Sequence, residues 1–413
     1  MITDPRRRGA QTFAHDLHEA LRARGFPSEI AALAPHPAVG GSAARPSGAG
    51  PDDNRLPVPT LGSGRLDRRT LAMLRNRAKQ TRVVVAHGSS TLPACAISLV
   101  FARTPFIYVN IGDPRHWAAS PARKLRVGAM LRRAAAVASV SPVGRDLLVA
   151  RYGLPAAKVR AIPNGRRPEA YPRVDDKSRT RARQDLGIAE DAVVLAVVGA
   201  LSPEKRVDIA IEGFARYAET ADRAAAGTGA PGDREGGGGN GDGTGTGAGP
   251  HATGRHRQLP DGEWLLLVAG DGTERERLSR IAAERAPGRV RFLGSVDDAA
   301  RVYRAADALL LTSDSEGVPG VLVEAGLSGI PAVATNVGFV RDVVLDGRTG
   351  VLAAPGDPGA VADAIGRVLA DRDTMGAAAY RYCLDAYAMD SVVDAWQDLL
   401  RAVAGPAGMV DKA

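Results

Sequence analysis

Cysteine is nearly missing from this chain: 413 residues contain two, Cys95 and Cys383, both in apolar, helix-like stretches. With no paired spacing and no metal-ligand pattern, both are expected in the core of a protein from a reducing compartment. No apolar run is long enough to span a bilayer; stretches such as VVLAVVGAL, 193–201, stop at strand length. The start, MITDPRRRGAQ, is basic with no apolar stretch behind it, so it does not read as a secretory signal. No Asp-x-Asp stands at a strand end and the seven histidines are scattered, so no metal is expected. A Walker loop is absent, as is a Ser/His/Asp set in a nucleophile-elbow context. The first half has few aromatics to stack bases and no nucleic-acid motif, which counts against nucleic acid as a partner.

What the chain does have is length, a split charge and a repeated alternation. A length of 413 residues suggests two domains, and 45% hydrophobic with 24% charged residues is ordinary for a globular protein. Residues 1–174 hold 28 Lys and Arg against 10 Asp and Glu, whereas residues 175–413 hold 26 against 36. A basic half suits an anionic membrane face or a phosphorylated acceptor; an arginine-rich composition with no partner explains it equally well.

Ten strand-length apolar runs alternate with amphipathic stretches. In the first half they are RVVVAHG, PFIYVNIG, AAVASV and VRAIPNG; in the second, AVVLAVVGAL, EWLLLVAGDG, RVRFLGS, ADALLLTSD, PAVATNVG and GVLAAPG. Most are apolar on both faces, as parallel strands covered on both sides should be. Helices are expected over 10–25 and 205–219. The pattern predicts an α/β chain of two doubly wound, Rossmann-like domains facing a cleft. The first takes 1–170, on the acceptor side. A linker, 171–190, follows within and beyond the proline- and charge-rich stretch RRPEAYPRVDDKSR. The nucleotide-binding domain takes 191–375. Residues 376–413 are expected as closing helices. From Gly227 to Gly254 there are 13 glycines, so 223–258 reads as a flexible insertion in the second domain; 36–55 interrupts the first similarly. Only Met1 to Thr3 precede the first turn, so the first strand is vestigial or the true start lies upstream.

The stretch SEGVPGVLVEAGLSG carries the chemistry. Glu316 stands on a glycine-bearing turn after the strand ALLLTSD; Pro319 suits the first turn of the helix that follows, and Gly329 ends it. Such a turn leaves backbone N–H groups free to hold a phosphate. Two carboxylates beside an anion bind hydroxyls rather than the anion, and a sugar and a ribose on either side of a diphosphate supply them. The arrangement of Glu316 and Glu324 therefore fits a nucleotide-sugar.

Here the chain resembles the retaining glycosyltransferases of family 4, which have the GT-B fold. Their frame, E-G-x-P-x-x-x-x-E-A-x-x-x-G-x-P-x-x-A-T, is matched throughout 316–335. RRGAQTFAHDLHEALRARG, SPVGRDLLVARYGLPAAKVRAIPNG and VVGALSPEKRVDIAIEGF are similar to further family segments, so the resemblance covers nearly the whole chain. It implies transfer of a sugar from a nucleotide-sugar to an acceptor hydroxyl with retention, in envelope polysaccharide, glycolipid or glycoconjugate synthesis. No cofactor is expected; the basic first half points to a lipid-linked or anionic acceptor and so to a cytoplasmic or peripheral inner-membrane location. Glu316 would contact the donor sugar, with Gly317, Val318, Pro319, Gly320 and Val321 around the diphosphate and Glu324 on the ribose. Lys205 would bind the diphosphate, where a fixed cation stabilises charge as it develops. His87 would meet the reacting sugar or acceptor at a strand end, and Gly9 would let a ligand approach the backbone. Gly270 and Asp271 resemble the nucleotide loop. The family usually carries an arginine where this chain has Ala200; Arg206 is the candidate replacement, since a guanidinium grips phosphate at two points. Two alternatives remain: a nucleotide-sugar epimerase on the same fold, and a partner protein that keeps the fold without turnover.

Overall fold

The computed structural model describes residues 1–5, 9–35, 56–116, 120–227 and 263–405. The expected loops at 36–55 and, beyond Gly227, at 223–258 lie outside the described residues, as does the run Arg6 to Arg8.

In the first domain four parallel strands, β1 (Val84–His87), β2 (Phe106–Asn110), β3 (Ala136–Ser139) and β4 (Val159–Ala161), lie side by side in chain order. On the other side of β1 the line continues through single parallel bridges, Ile2 to Ala32 and Ala32 to Thr60. The His87 amide donates to Met1 O at 3.0 Å, so the three-residue start takes a strand's place beside β1. Helices α1 (Gly9–Ala23), α2 (Arg68–Ala78), α3 (Thr91–Ser98), α4 (Pro121–Arg133) and α5 (Pro142–Tyr152) accompany the sheet.

The second domain opens with α6 (Asp176–Leu186), inside the stretch expected to be linker. Its N-terminus forms here because Asp175 and Ser178 cap each other's backbone amides. Then come β5 (Val193–Val198), α7 (Val207–Gly227), β6 (Trp264–Ala269), α8 (Arg275–Arg285), β7 (Val290–Gly294), α9 (Ala299–Ala305), β8 (Ala308–Leu311), α10 (Gly320–Leu327), β9 (Ala332–Thr335), β10 (Gly350–Ala353), α11 (Pro358–Ala370), α12 (Arg372–Tyr387) and α13 (Met389–Ala404). The six strands are parallel in the order β10-β9-β8-β5-β6-β7. Alternate residues of β5 feed opposite layers: Val193, Leu195 and Val197 pack with Phe214 and Val361, while Val194 and Ala196 pack with Tyr303 and Leu322. Strand order reverses between β5 and β8, and such a reversal opens a crevice at the strands' carboxyl ends.

Two tethers fix the architecture. Asp307, 2% exposed, accepts from Arg179, Arg183 and Arg372 at 2.8, 2.9 and 2.6 Å, tying α6 and α12 to the foot of β8. At the domain crossing, Arg166 N donates to Tyr387 O at 2.9 Å and Met389 N donates to Arg166 O at 2.8 Å. The closing helices divide there. α12 lies on α10, while α13 lies on α1, where its fully buried Trp396 joins Phe13 in the first domain's core.

Candidate active site

β8 ends at Leu311 and the chain turns through Ser313, Glu316 and Gly317 before α10 begins at Gly320. Pro319 is the N-cap residue in extended conformation, one place before the helical turn where the sequence puts it. Gly317 is required by a close approach: a Cβ there would stand 2.5 Å from Ile111 O, in the segment that leaves β2. The Glu316 turn therefore sits against the first domain. Val318 packs into apolar clusters of both domains, and Val321 into the second domain's alone.

Glu316 Oε1 accepts from Lys205 Nζ at 2.6 Å and from Ser313 Oγ at 2.7 Å. Lys205 does not open a helix over 205–219. It ends a short 3-10 turn, Pro203–Lys205, and α7 starts at Val207. Arg206 between them has φ +45°, a left-handed conformation uncommon outside glycine, which separates the turn from the helix. Thr312 Oγ1 donates to Arg206 O at 2.7 Å and fixes the turn against β8. The Arg206 guanidinium faces Asp208 at 3.1 Å and Asp314 at 3.4 Å. Ala200 is exposed at the end of β5. Gly270, at the end of β6, packs against Gly199, where a Cβ would stand 1.7 Å from Gly199 O, and Asp271 O accepts from Leu201 N at 2.9 Å. The turns after β5, β6 and β8 thus converge at the carboxyl ends of the sheet's central strands.

Glu324, on the second turn of α10, is paired rather than free. Oε1 accepts from Arg166 Nε at 2.8 Å and Oε2 from the Tyr303 hydroxyl at 3.0 Å. Burial, reinforced by Glu324, pushes the Tyr303 hydroxyl well above its ordinary value, so it stays protonated and donates.

His87 ends β1, 6% exposed, with its ring 6.0 Å from Phe13 and 6.2 Å from Trp396. Burial, then the nearby Met1 ammonium, hold its imidazole well below the ordinary value, and Nδ1 has no partner among the described residues. It lines a cavity of about 210 Å³ with Thr3, Gln11, Ser89, Ser90 and Gly112. Gly9 begins α1, and a Cβ there would meet nothing within 4 Å. At the end of β2, Asn110 is fully buried with neither side-chain polar atom partnered among the described residues. Among the described residues no three His, Cys, Asp or Glu are grouped to hold a metal. Sequence reasoning missed Arg166, Tyr303, Ser313, Asn110 and Trp396. Only the position of Ser313 and Asn110 at strand ends could have signalled them.

Comparison with known proteins places the chain in a family. A family model described as Glycosyltransferase Family 4 matches residues 7–170, and one described as Glycosyl transferases group 1 matches 251–371. The two stretches take in more than half of the chain. The chain belongs to glycosyltransferase family 4. Among its relatives, the D-inositol 3-phosphate glycosyltransferase of Geodermatophilus obscurus is 34% identical over 62% of this family-4 chain and 50% of that protein. The N-acetyl-alpha-D-glucosaminyl L-malate synthase of Bacillus anthracis is 31% identical over 32% of this chain and 36% of that protein. The family-4 chain spans about half the length, or less, of these curated relatives. Among solved structures, Anabaena Alr3699/HepE in complex with UDP and glucose has a TM-score of 0.63 at 22% identity over 81% of each chain. A glycosyltransferase from Rickettsia africae has a TM-score of 0.72 at 11% identity over 98% of each. These neighbours share the GT-B fold, two parallel-sheet domains, with this chain.

Proposed function

We propose that this chain is a retaining glycosyltransferase that moves a hexose from a nucleotide-sugar to an acceptor hydroxyl. The observation that carries the reading is the convergence of Lys205 and Glu316 where strand order reverses, in front of the α10 N-terminus. The Gly320 and Val321 amides that open α10 and the Lys205 ammonium hold the diphosphate, the Leu322 amide being taken by Pro319 O. The donor's C1–O(phosphate) bond breaks, C1 bonds to the acceptor oxygen on the same face, and the acceptor's proton passes to the departing phosphate oxygen. Lys205 and the helix amides stabilise the charge that develops there. Glu316 accepts from hydroxyls of the donor sugar, and Glu324 from those of the ribose. His87, neutral in its pocket, lines the cavity that would receive the sugar or acceptor. The names of the relatives support this class of reaction, and the UDP and glucose in the HepE description favour a uridine donor. To test it, the chain is incubated with UDP-, GDP-, ADP- and TDP-hexoses and diphosphate release is followed. One donor turned over by wild type and not by Glu316→Ala supports the reading. Equal background rates favour a non-catalytic partner protein, and epimerised donor without acceptor favours an isomerase.

A peripheral contact with an anionic membrane is part of the reading, with a lipid-linked or phosphorylated acceptor. Phe101 is 85% exposed just beyond α3, and Leu125 is 73% exposed on α4, flanked by exposed Arg123, Lys124 and Arg126. α3 and α4 pack together, and exposed apolar residues among cations suit a headgroup layer. No described helix is long and apolar enough to cross a membrane. Sedimentation with anionic but not neutral vesicles, weakened in Phe101→Ser/Leu125→Ser, is the expected result; equal recovery with both vesicle types excludes it.

A further inference from the structure

Arg166 takes part in two connections that no other described residue combines. Its backbone joins the outgoing and returning domain crossings through the bonds to Tyr387 and Met389. Its side chain, 6% exposed, leaves that crossing and reaches α10, where Nε lies 2.8 Å from Glu324 Oε1. Nη1 donates to Gly165 O at 3.2 Å, so the guanidinium is held at its base as well. It fits because residue 320 is glycine: a Cβ there would stand 2.0 Å from Nη2.

The other oxygen of Glu324 is held by Tyr303, itself fully buried. A carboxylate offers about four acceptor directions. Arg166 and Tyr303 take one on each oxygen, which leaves one on each oxygen for other donors. Two neighbouring hydroxyls of a ribose need that pair of acceptors.

We propose that Arg166 is a positioning residue for Glu324: anchored in the interdomain crossing, it fixes the carboxylate in the orientation that reads the ribose hydroxyls of the donor nucleotide. Ribose recognition is then set by the crossing as well as by the second domain. This rests on the nucleotide-sugar reading above. A pair that served stability alone would change the melting temperature when altered and leave ribose selectivity untouched, because buried ion pairs are often replaceable by uncharged side chains.

The experiment compares, on the full chain, the nucleoside diphosphate among UDP, GDP, ADP and TDP that binds most tightly with its 2′-deoxy form, by calorimetric titration (for TDP, itself a deoxynucleotide, the ribo form is the partner). Wild type is expected to bind the ribose form at least about tenfold more tightly, the range for one hydrogen bond to a charged group. Arg166→Lys keeps a cation without the guanidinium fork, and its ratio is expected to fall to within about twofold. Arg166→Met/Glu324→Gln removes both charges together and leaves no buried charge unpaired; it is expected to lose the ratio likewise. In both variants competition by inorganic pyrophosphate stays as in wild type, and melting curves identify the folded samples. A folded variant that keeps the wild-type ratio overturns the inference. Wild type that binds a nucleoside diphosphate without distinguishing its 2′-deoxy form overturns the inference alone, whereas wild type that binds none overturns the functional reading beneath it.

Discussion

The Lys205 ammonium lies 2.6 Å from Glu316 Oε1 and joins the turn after β5 to the turn after β8. Each is the other's counterion at the point where the strand order reverses. In the proposed function a bound diphosphate would draw Lys205 and leave Glu316 to accept from sugar hydroxyls. Removing one preorganised charge of this kind typically costs about 10²–10³ in turnover. Lys205→Met is expected to lose that much and to bind nucleoside diphosphate more weakly. Glu316→Gln is expected to lose a similar factor in kcat while its nucleoside diphosphate affinity stays near wild type. Steady-state kinetics with calorimetric titration separates the two.

Gly317 marks where the domains touch. Its missing Cβ would stand 2.5 Å from the Ile111 carbonyl, a contact that backbone cannot relieve without moving. Gly317→Ala is expected to open the cleft, raise the radius of gyration in solution scattering and slow transfer about tenfold or more, the scale of a small misplacement of reacting groups. An unchanged radius and rate contradict the contact.

Asp307 is the counterion of three arginines and is itself buried. Arg183 is buried with it, so Asp307→Asn leaves an uncompensated charge inside the protein. A loss of about 3–5 kcal/mol is expected in urea unfolding, with the Lys205 to Glu316 site unaltered until the domain melts.

His87 supplies a pH dependence. Its folded-state value lies well below that of the unfolded chain because burial disfavours the imidazolium. The contribution to stability is therefore present above the unfolded value of about 6.5 and lost as pH falls from there toward the folded value. Between about pH 7.5 and about pH 5.5 this group therefore lowers stability progressively as pH falls. His87→Gln is expected to remove that part of the slope in urea midpoints measured at both pH values; an unchanged slope counts against a buried neutral imidazole.

All ten apolar runs became strands; most, such as β2, β5, β6 and β8, are covered on both faces, and a run apolar throughout is readable without knowing its neighbours. Glu316 and Lys205 were readable because each follows a strand's carboxyl end. Their direct pairing was not, since 111 positions separate them and only the strand order β8-β5 brings them together. Arg166 looked like one more charge in a polar linker; its burial depends on Gly320, far along the chain, leaving it space. The start of α7 was read two residues early because nothing in LSPEKR announces a left-handed arginine. α6 was read as linker because Asp175 and Ser178, the residues that cap it, look like any polar pair.

The most direct test of the account is the melting temperature of the full chain with UDP, GDP, ADP or TDP at about 100 times an expected dissociation constant. Binding at that ratio adds about 2.7 kcal/mol, or roughly 5–10 °C for a domain of this size. One nucleoside diphosphate is expected to give that rise in wild type and to lose most of it in Lys205→Met. No rise with any of the four, or an equal rise in Lys205→Met, contradicts a diphosphate held between Lys205 and the start of α10.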